Sequence, residues 1–303
     1  MEEQRAPYVR QMTQNELDLR QACRFFYDLQ RLRIGTGLRE QKREKLRKDL
    51  AVSPLVQVSE GAQAFIQEQK DRLEESEDDV LKEMKRLLKE HKIYTEWLQH
   101  QRGCGVTMAA VIISSFDVYR AHRMSCFWAY AGLTIDPTTN QSVRRKKGEK
   151  ASFDPYLKSK MVKILGECLI KAGAPLEARE ASEEKKARKG REASEWYICY
   201  INRKHYRRSQ RVRCMNCKGF GIAEVLDEES GKKKKEKCKN CKDFSPEAAP
   251  WGMCDAHRQN EARRFMVKIF LQDLWRKWRT LEGLEVRPSY AEERLGLYHH
   301  AAV

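Results

Sequence analysis

Apolar residues recur at every third or fourth position through most of this 303-residue chain, a period that buries them along one side of a helix. Leu17, Ala22, Phe25, Phe26, Leu29 and Leu32 carry it first, and Gly35 and Gly37 then punctuate the pattern as a helix stop would. After a break at Ser53-Pro54, Ala62, Phe65, Ile66, Leu73, Val80, Leu81, Met84, Leu87 and Leu88 line a second long helix, with the acidic run 74–79 on its exposed part. Ala262, Phe265, Met266, Ile269, Phe270, Leu274 and Trp278 share a broad face of a last helix. The expected fold is mainly α.

Composition shifts divide the chain further. Residues 1–92 read as a helical hairpin or coiled-coil region, with homodimerisation through these helices as one use of it. Residues 93–200 form a second helical region that includes a charged linker at 175–195, and 201–254 hold a basic segment with paired cysteines. The last helix and a tail occupy 255–303. Lys and Arg number 60 against 44 Asp and Glu, and the resulting net charge of +16 favours a polyanionic partner. The longest apolar runs, such as 111–113 and 269–271, fall far short of the roughly 18 residues of a membrane span, so no membrane partner is expected. Met1-Glu2-Glu3-Gln4-Arg5 lacks the basic flank and apolar run of a secretory signal, which points to a cytoplasmic, nucleic-acid-associated protein.

In a reducing compartment, clustered cysteines serve metal sooner than disulfides. Cys214-Met-Asn-Cys217 and Cys238-Lys-Asn-Cys241 are two C-x2-C pairs separated by 20 residues, the spacing of a four-thiolate zinc ribbon. Ile222-Ala-Glu-Val225 reads as a strand leading to a Lys-rich loop over 231–237. Four cysteines close the coordination sphere, so the expected Zn2+ is structural. Cys254 and His257 form a further ligand-like pair that this closed set does not need. Cys23, Cys104, Cys126, Cys168 and Cys199 are scattered and read as small buried apolar groups.

The segment Arg102-Gly103-Cys104-Gly105-Val106-Thr107 lies between two apolar stretches and has the pattern of a helix-hairpin-helix. Glycines permit a tight turn, and the amides opening the second helix can hold a backbone phosphate flanked by Arg102 and Thr107. An ordinary helix-to-helix turn has the same pattern. Two basic runs follow: Arg144, Arg145, Lys146 and Lys147 in a polar loop, then Arg203, Lys204, Arg207 and Arg208 interleaved with Tyr200, His205 and Tyr206. Such interleaving suits phosphate contact with some base stacking, although basic runs are also ordinary solvated faces.

Arg102-Gly-Cys-Gly105, the phrase Tyr130-Ala-Gly-Leu133, the basic glycine segment after it and a further helix at 154–172 resemble, in this order, the insertion-sequence transposases of the one-ten type. The resemblance is to their C-terminal domain, the transposase-twenty family, and covers roughly residues 94–173. Residues 257–264, 273–279 and 27–34 look like further blocks of larger members. The resemblance implies DNA recombination with a structured RNA partner, an acidic metal site in an N-terminal ribonuclease-H-like domain, and a serine nucleophile. Two departures matter. The first 92 residues read as helices, so no ribonuclease-H-like domain is expected, and the family's Ser-Ser-Gly-like turn is replaced by Thr138-Thr139-Asn140-Gln141-Ser142. Ser142 is the serine of that loop and the candidate nucleophile.

These features point to a DNA-binding protein for duplex or branched DNA, acting in recombination, replication or control of a mobile element without its own nuclease site. A serine recombinase using Ser142 and a structured-RNA-binding assembly protein are the alternatives.

Overall fold

The computed structural model describes residues 12–50, 60–135, 142–145, 147–175, 192–209, 222–226, 233–237, 255–288 and 293. The chain is mainly helical. Its contacts divide it into two compact units, one of Met1–Arg120 with Lys277–Leu284, the other of Ala121–Arg276 with Glu285–Val303. The division falls at residue 120, whereas composition places a boundary at 92, because apolar burial ties the segment after 92 to the helices before it.

In the first unit, α1 (Gln14–Leu50) and α2 (Glu60–Leu88) run antiparallel. Near one end the Asn15 amide donates to Leu87 O at 3.4 Å, and further along Arg33 Nε donates to Glu77 Oε1 at 2.6 Å. Leu19, Cys23, Phe26 and Leu29 of α1 are buried, as are Met84, Leu87 and Leu88 of α2. After the short α3 (Lys92–Glu96) and a 3-10 turn at Leu98–His100 comes α4 (Val106–Ser115), whose residues 108–114 are all buried. It packs on both α1 and α2. Arg279 Nη1 donates to Val118 O at 2.9 Å and is itself buried. Leu17, Phe25 and Leu32, which the spacing placed on the buried side of α1, are exposed, as is Leu38.

Two expectations are corrected here. Gly35 and Gly37 do not stop α1, which continues to Leu50. Neither has a positive φ, and strong helix formers from Leu38 onward sustain the helix through them. A Cβ at either position meets nothing within 4 Å, so Gly35→Ala and Gly37→Ala should each stabilise the protein by about 0.5–1 kcal/mol in urea unfolding. The acidic run of α2 is not wholly exposed either. Glu77 is buried and takes two hydrogen bonds from Arg33, whose guanidinium is held above its ordinary pKa chiefly by that bond.

In the second unit, α5 (Met124–Tyr130) is followed by a nearly continuous helix made of α6 (Pro155–Ser159), a π segment at Lys160–Leu165 and α7 (Gly166–Gly173). Leu157, Met161, Leu165 and Leu169 are fully buried at intervals of four. In a regular α-helix each such interval overshoots a turn by about 40°, and the looser π winding brings the stripe back toward one side. Gly166 is packed so closely that an added Cβ would lie 2.8 Å from Arg263 Cγ. α8 (Glu195–Ser209), capped by Ser194, packs on α7. α9 (Asp255–Leu281) buries Ala262, Met266, Ile269, Phe270 and Leu274 in this unit, with Phe265 half-buried. Trp196 meets Phe270 edge to face at 5.1 Å, and Trp275 Nε1 donates to Ala121 O at 2.6 Å.

β1 (Ile222–Leu226) and β2 (Lys233–Lys237) pair antiparallel from Ile222 opposite Lys237 to Leu226 opposite Lys233. The expected strand is present, and lysines placed by sequence in a loop form its partner. Among the described residues no helix is long and apolar enough to cross a membrane.

Candidate nucleic-acid interface

The turn of the Tyr130-Ala-Gly-Leu133 phrase packs against Lys158, which two arginine charges influence. Gly132 adopts φ +63, and a Cβ there would lie 2.6 Å from Phe153 Cδ2 and 3.0 Å from Lys158 Cδ. Only glycine combines that backbone with so close an approach. The segments beyond are drawn together by an antiparallel bridge between Ile135 and Ser142 and by Val143 N–H donating to Thr134 O at 3.3 Å. Asp154 anchors the following helix, accepting from the amides of Tyr156 and Leu157, and this capping explains its place in the sequence.

Lys158 then reaches back across the turn. Its Nζ donates to Val143 O at 2.6 Å, lies 3.5 Å from Ser142 Oγ, and sits over the Phe153 ring at 4.6 Å. Burial, then the charges of Arg264 and Arg144, hold the Lys158 ammonium below its ordinary pKa. Burial and Arg144 likewise lower Arg264. Sequence reasoning singled out Ser142 and Arg144 but missed Lys158 and Arg264. A lysine directly after Leu157, at the start of a buried stripe, is the signal that would have found the first.

A second basic group has a different fate. Arg203 and Arg207 of α8 converge on Glu261 of α9 at 2.6 and 3.1 Å. Burial pushes the Glu261 carboxyl up, but the hydrogen bonds from Arg203 and Arg207 outweigh it and hold the group below its usual range. The Arg203 guanidinium also stacks over Phe265 at 4.5 Å and Tyr206 at 5.1 Å. These two arginines therefore join α8 to α9. Lys268 lies 4.1 Å over Trp128, lowered by burial and then by Arg203. Of the aromatic residues in the run, Tyr206 is exposed, whereas Tyr200 is buried in the core and cannot stack on a base. Lys204 is half-buried, and the Arg208 side chain lies outside the described residues.

In the first unit, Gly103 takes φ +97 and makes the turn, while Gly105 at φ −74 opens α4 as its N-cap without a side-chain bond. The expectation that both glycines serve the turn thus holds for Gly103 alone. The stretch before it is a short helix and a 3-10 turn instead of a full helical arm. Gly105 is exposed, and Arg102 and Thr107 are half-buried.

Arg145 and Lys147 are exposed, and Lys146 lies outside the described residues. So do Cys214, Cys217, Cys238, Cys241 and Cys254. Among the described residues no group of three or more His, Cys, Asp or Glu side chains is placed to hold a metal ion. Cys23 and Cys104 are buried and Cys126, Cys168 and Cys199 half-buried, with burial, followed by the Asp273 charge, pushing Cys199 up to about 11. No family model, curated protein or solved structure matches this chain.

Proposed function

We propose that this chain is a DNA-binding protein that grips duplex or branched DNA through its backbone, as a relative of the transposase C-terminal domain without a nuclease site of its own. The observation that carries this reading is the position of Lys158, whose Nζ reaches the loop of Arg144 at Val143 O and Ser142 Oγ and is lowered by burial and then by the charges of Arg264 and Arg144, on a chain of net charge +16. Arg145 and Lys147 extend the cationic surface, and Arg102, Gly103, Gly105 and Thr107 supply a contact region on the first unit. Recombination, replication or control of a mobile element is the setting that the resemblance implies.

A structural Zn2+ held by Cys214, Cys217, Cys238 and Cys241 belongs to the same reading. The strand register supports it: Ile222 pairs with Lys237, and Cys238 directly follows Lys237, while Cys217 precedes Ile222 by five residues. The hairpin thus returns the chain to its starting end between the two cysteine pairs, as a ribbon requires.

One observation favours a second reading. Lys158 Nζ lies 3.5 Å from Ser142 Oγ, so a basic side chain stands beside the candidate nucleophile. Binding of zinc-loaded protein to labelled duplex, four-way junction and structured RNA at equal salt, read on native and denaturing gels, separates the readings. The proposal expects DNA binding with no denaturation-resistant adduct. An adduct lost in Ser142→Ala would establish the recombinase, and RNA bound about tenfold tighter than either DNA would replace DNA by RNA.

A further inference from the structure

Several basic side chains described in the second unit are already committed to carboxylates. Arg263 is ion-paired with Glu167, and Arg203 and Arg207 are paired with Glu261. Asp154 is committed to the amides at the start of α6. Arg144, Lys158 and Arg264 have no carboxylate partner among the described residues; Lys158 Nζ reaches the loop of Arg144, at Val143 O (2.6 Å) and Ser142 Oγ (3.5 Å), and the charges of Arg264 and Arg144 bear on it. Lys158 is held rigidly: its stem lies against Gly132, and its ammonium is fixed by Val143 O and the Phe153 face. Like charges brought close repel one another, and one anion placed among them relieves that repulsion.

We propose that Arg144, Lys158 and Arg264, with the Ser142 hydroxyl, form a seat for a single backbone phosphodiester of the bound strand. The inference rests on the nucleic-acid reading and assigns its central contact. Two guanidiniums and an ammonium offer charge-assisted donors to the acceptor oxygens of a phosphodiester and more than offset its single negative charge, and Ser142 adds a hydroxyl donor beside Lys158. The seat reads no base, so it positions the strand without regard to sequence.

The test is the slope of log affinity against log salt for duplex DNA, using full-length zinc-loaded protein and a Lys158→Gln, Arg144→Gln, Arg264→Gln triple variant. Each phosphate released is worth about 0.9 in that slope, so a shared seat predicts a fall of about 0.9, and three separate contacts would give about 2.7. The control Lys171→Gln, on an exposed residue of α7, should leave the slope nearer to wild type than the triple variant does. Arg264→Gln alone should weaken binding on every sequence tested and serves if the triple variant does not fold.

Unchanged affinity and slope in folded variants overturn the seat while leaving DNA binding intact. Failure of the wild-type protein to bind any nucleic acid overturns the functional reading and the seat together. A last arm adds inorganic phosphate at constant ionic strength. If phosphate stabilises wild type and not the triple variant while both bind DNA equally, the seat serves free phosphate and its assignment to a strand is wrong.

Discussion

The purified protein should carry about one zinc ion per chain, and Cys238→Ser should release it. Structural zinc in sites of this kind contributes about 10–16 kcal/mol of apparent binding free energy at neutral pH, much of it realised as folding. A serine hydroxyl is not deprotonated at neutral pH and cannot replace a thiolate donor. Because Cys238 directly follows β2, the loss should spread into the β1–β2 pair and expose it to protease. The helical far-UV signal should change little, since the chain is mainly helical and the pair contributes only two short strands. Metal analysis of both proteins, with limited proteolysis in parallel, checks this. Protein free of zinc, or a Cys238→Ser variant that retains it, contradicts the four-cysteine site.

Gly132→Ala should be among the most damaging single methyl additions in the second unit. The left-handed backbone costs an alanine about 1–2 kcal/mol, and forcing a Cβ against a packed ring adds about 1–3 kcal/mol. The expected loss is therefore about 2–5 kcal/mol in urea unfolding. Gly283→Ala makes the comparison: φ is +66 there, but nothing lies within 4 Å of the added carbon, so only the backbone cost of about 1–2 kcal/mol applies. Equal losses for the two variants would contradict the close packing of Phe153 and Lys158 on Gly132. Since Lys158 must shift to admit the methyl, Gly132→Ala should also weaken DNA binding more than Gly283→Ala does.

The parts of this molecule that were legible in its sequence are those set by local periodicity. Phe26, Leu29, Met84 and Leu88 are buried because one helix side must leave water, and spacing records that side, although Leu17, Phe25 and Leu32, placed on it by the same spacing, are exposed. The strand at Ile222 was readable for a similar reason. Gly35 and Gly37 misled because glycine lowers helix stability without forbidding it, and the residues that outweigh it lie downstream. Glu77 was unreadable as a buried acid: it stands in a run of acidic residues, and its partner Arg33 lies on another helix.

The candidate site shows the same division. Ser142 and Arg144 stood out within one loop, but Lys158 and Arg264 join them only through the turn at Gly132 and the packing of α9. Arg203 and Arg207 were visible as a basic run, whereas their commitment to Glu261 depends on helices far apart in sequence. A run of basic residues says how much charge there is. Which cations already have an internal partner is decided by tertiary structure.

The central claim is that this chain holds DNA by its phosphates. The most direct measurement is the equilibrium affinity of full-length, zinc-loaded protein for duplex DNA of two unrelated sequences, from about 50 mM to 200 mM salt, the range over which phosphate contacts are lost. The account predicts similar affinities for the two sequences and a log–log slope of about −2.7 or steeper, corresponding to at least three neutralised phosphates. A slope near zero, or no binding at the lowest salt, would contradict it.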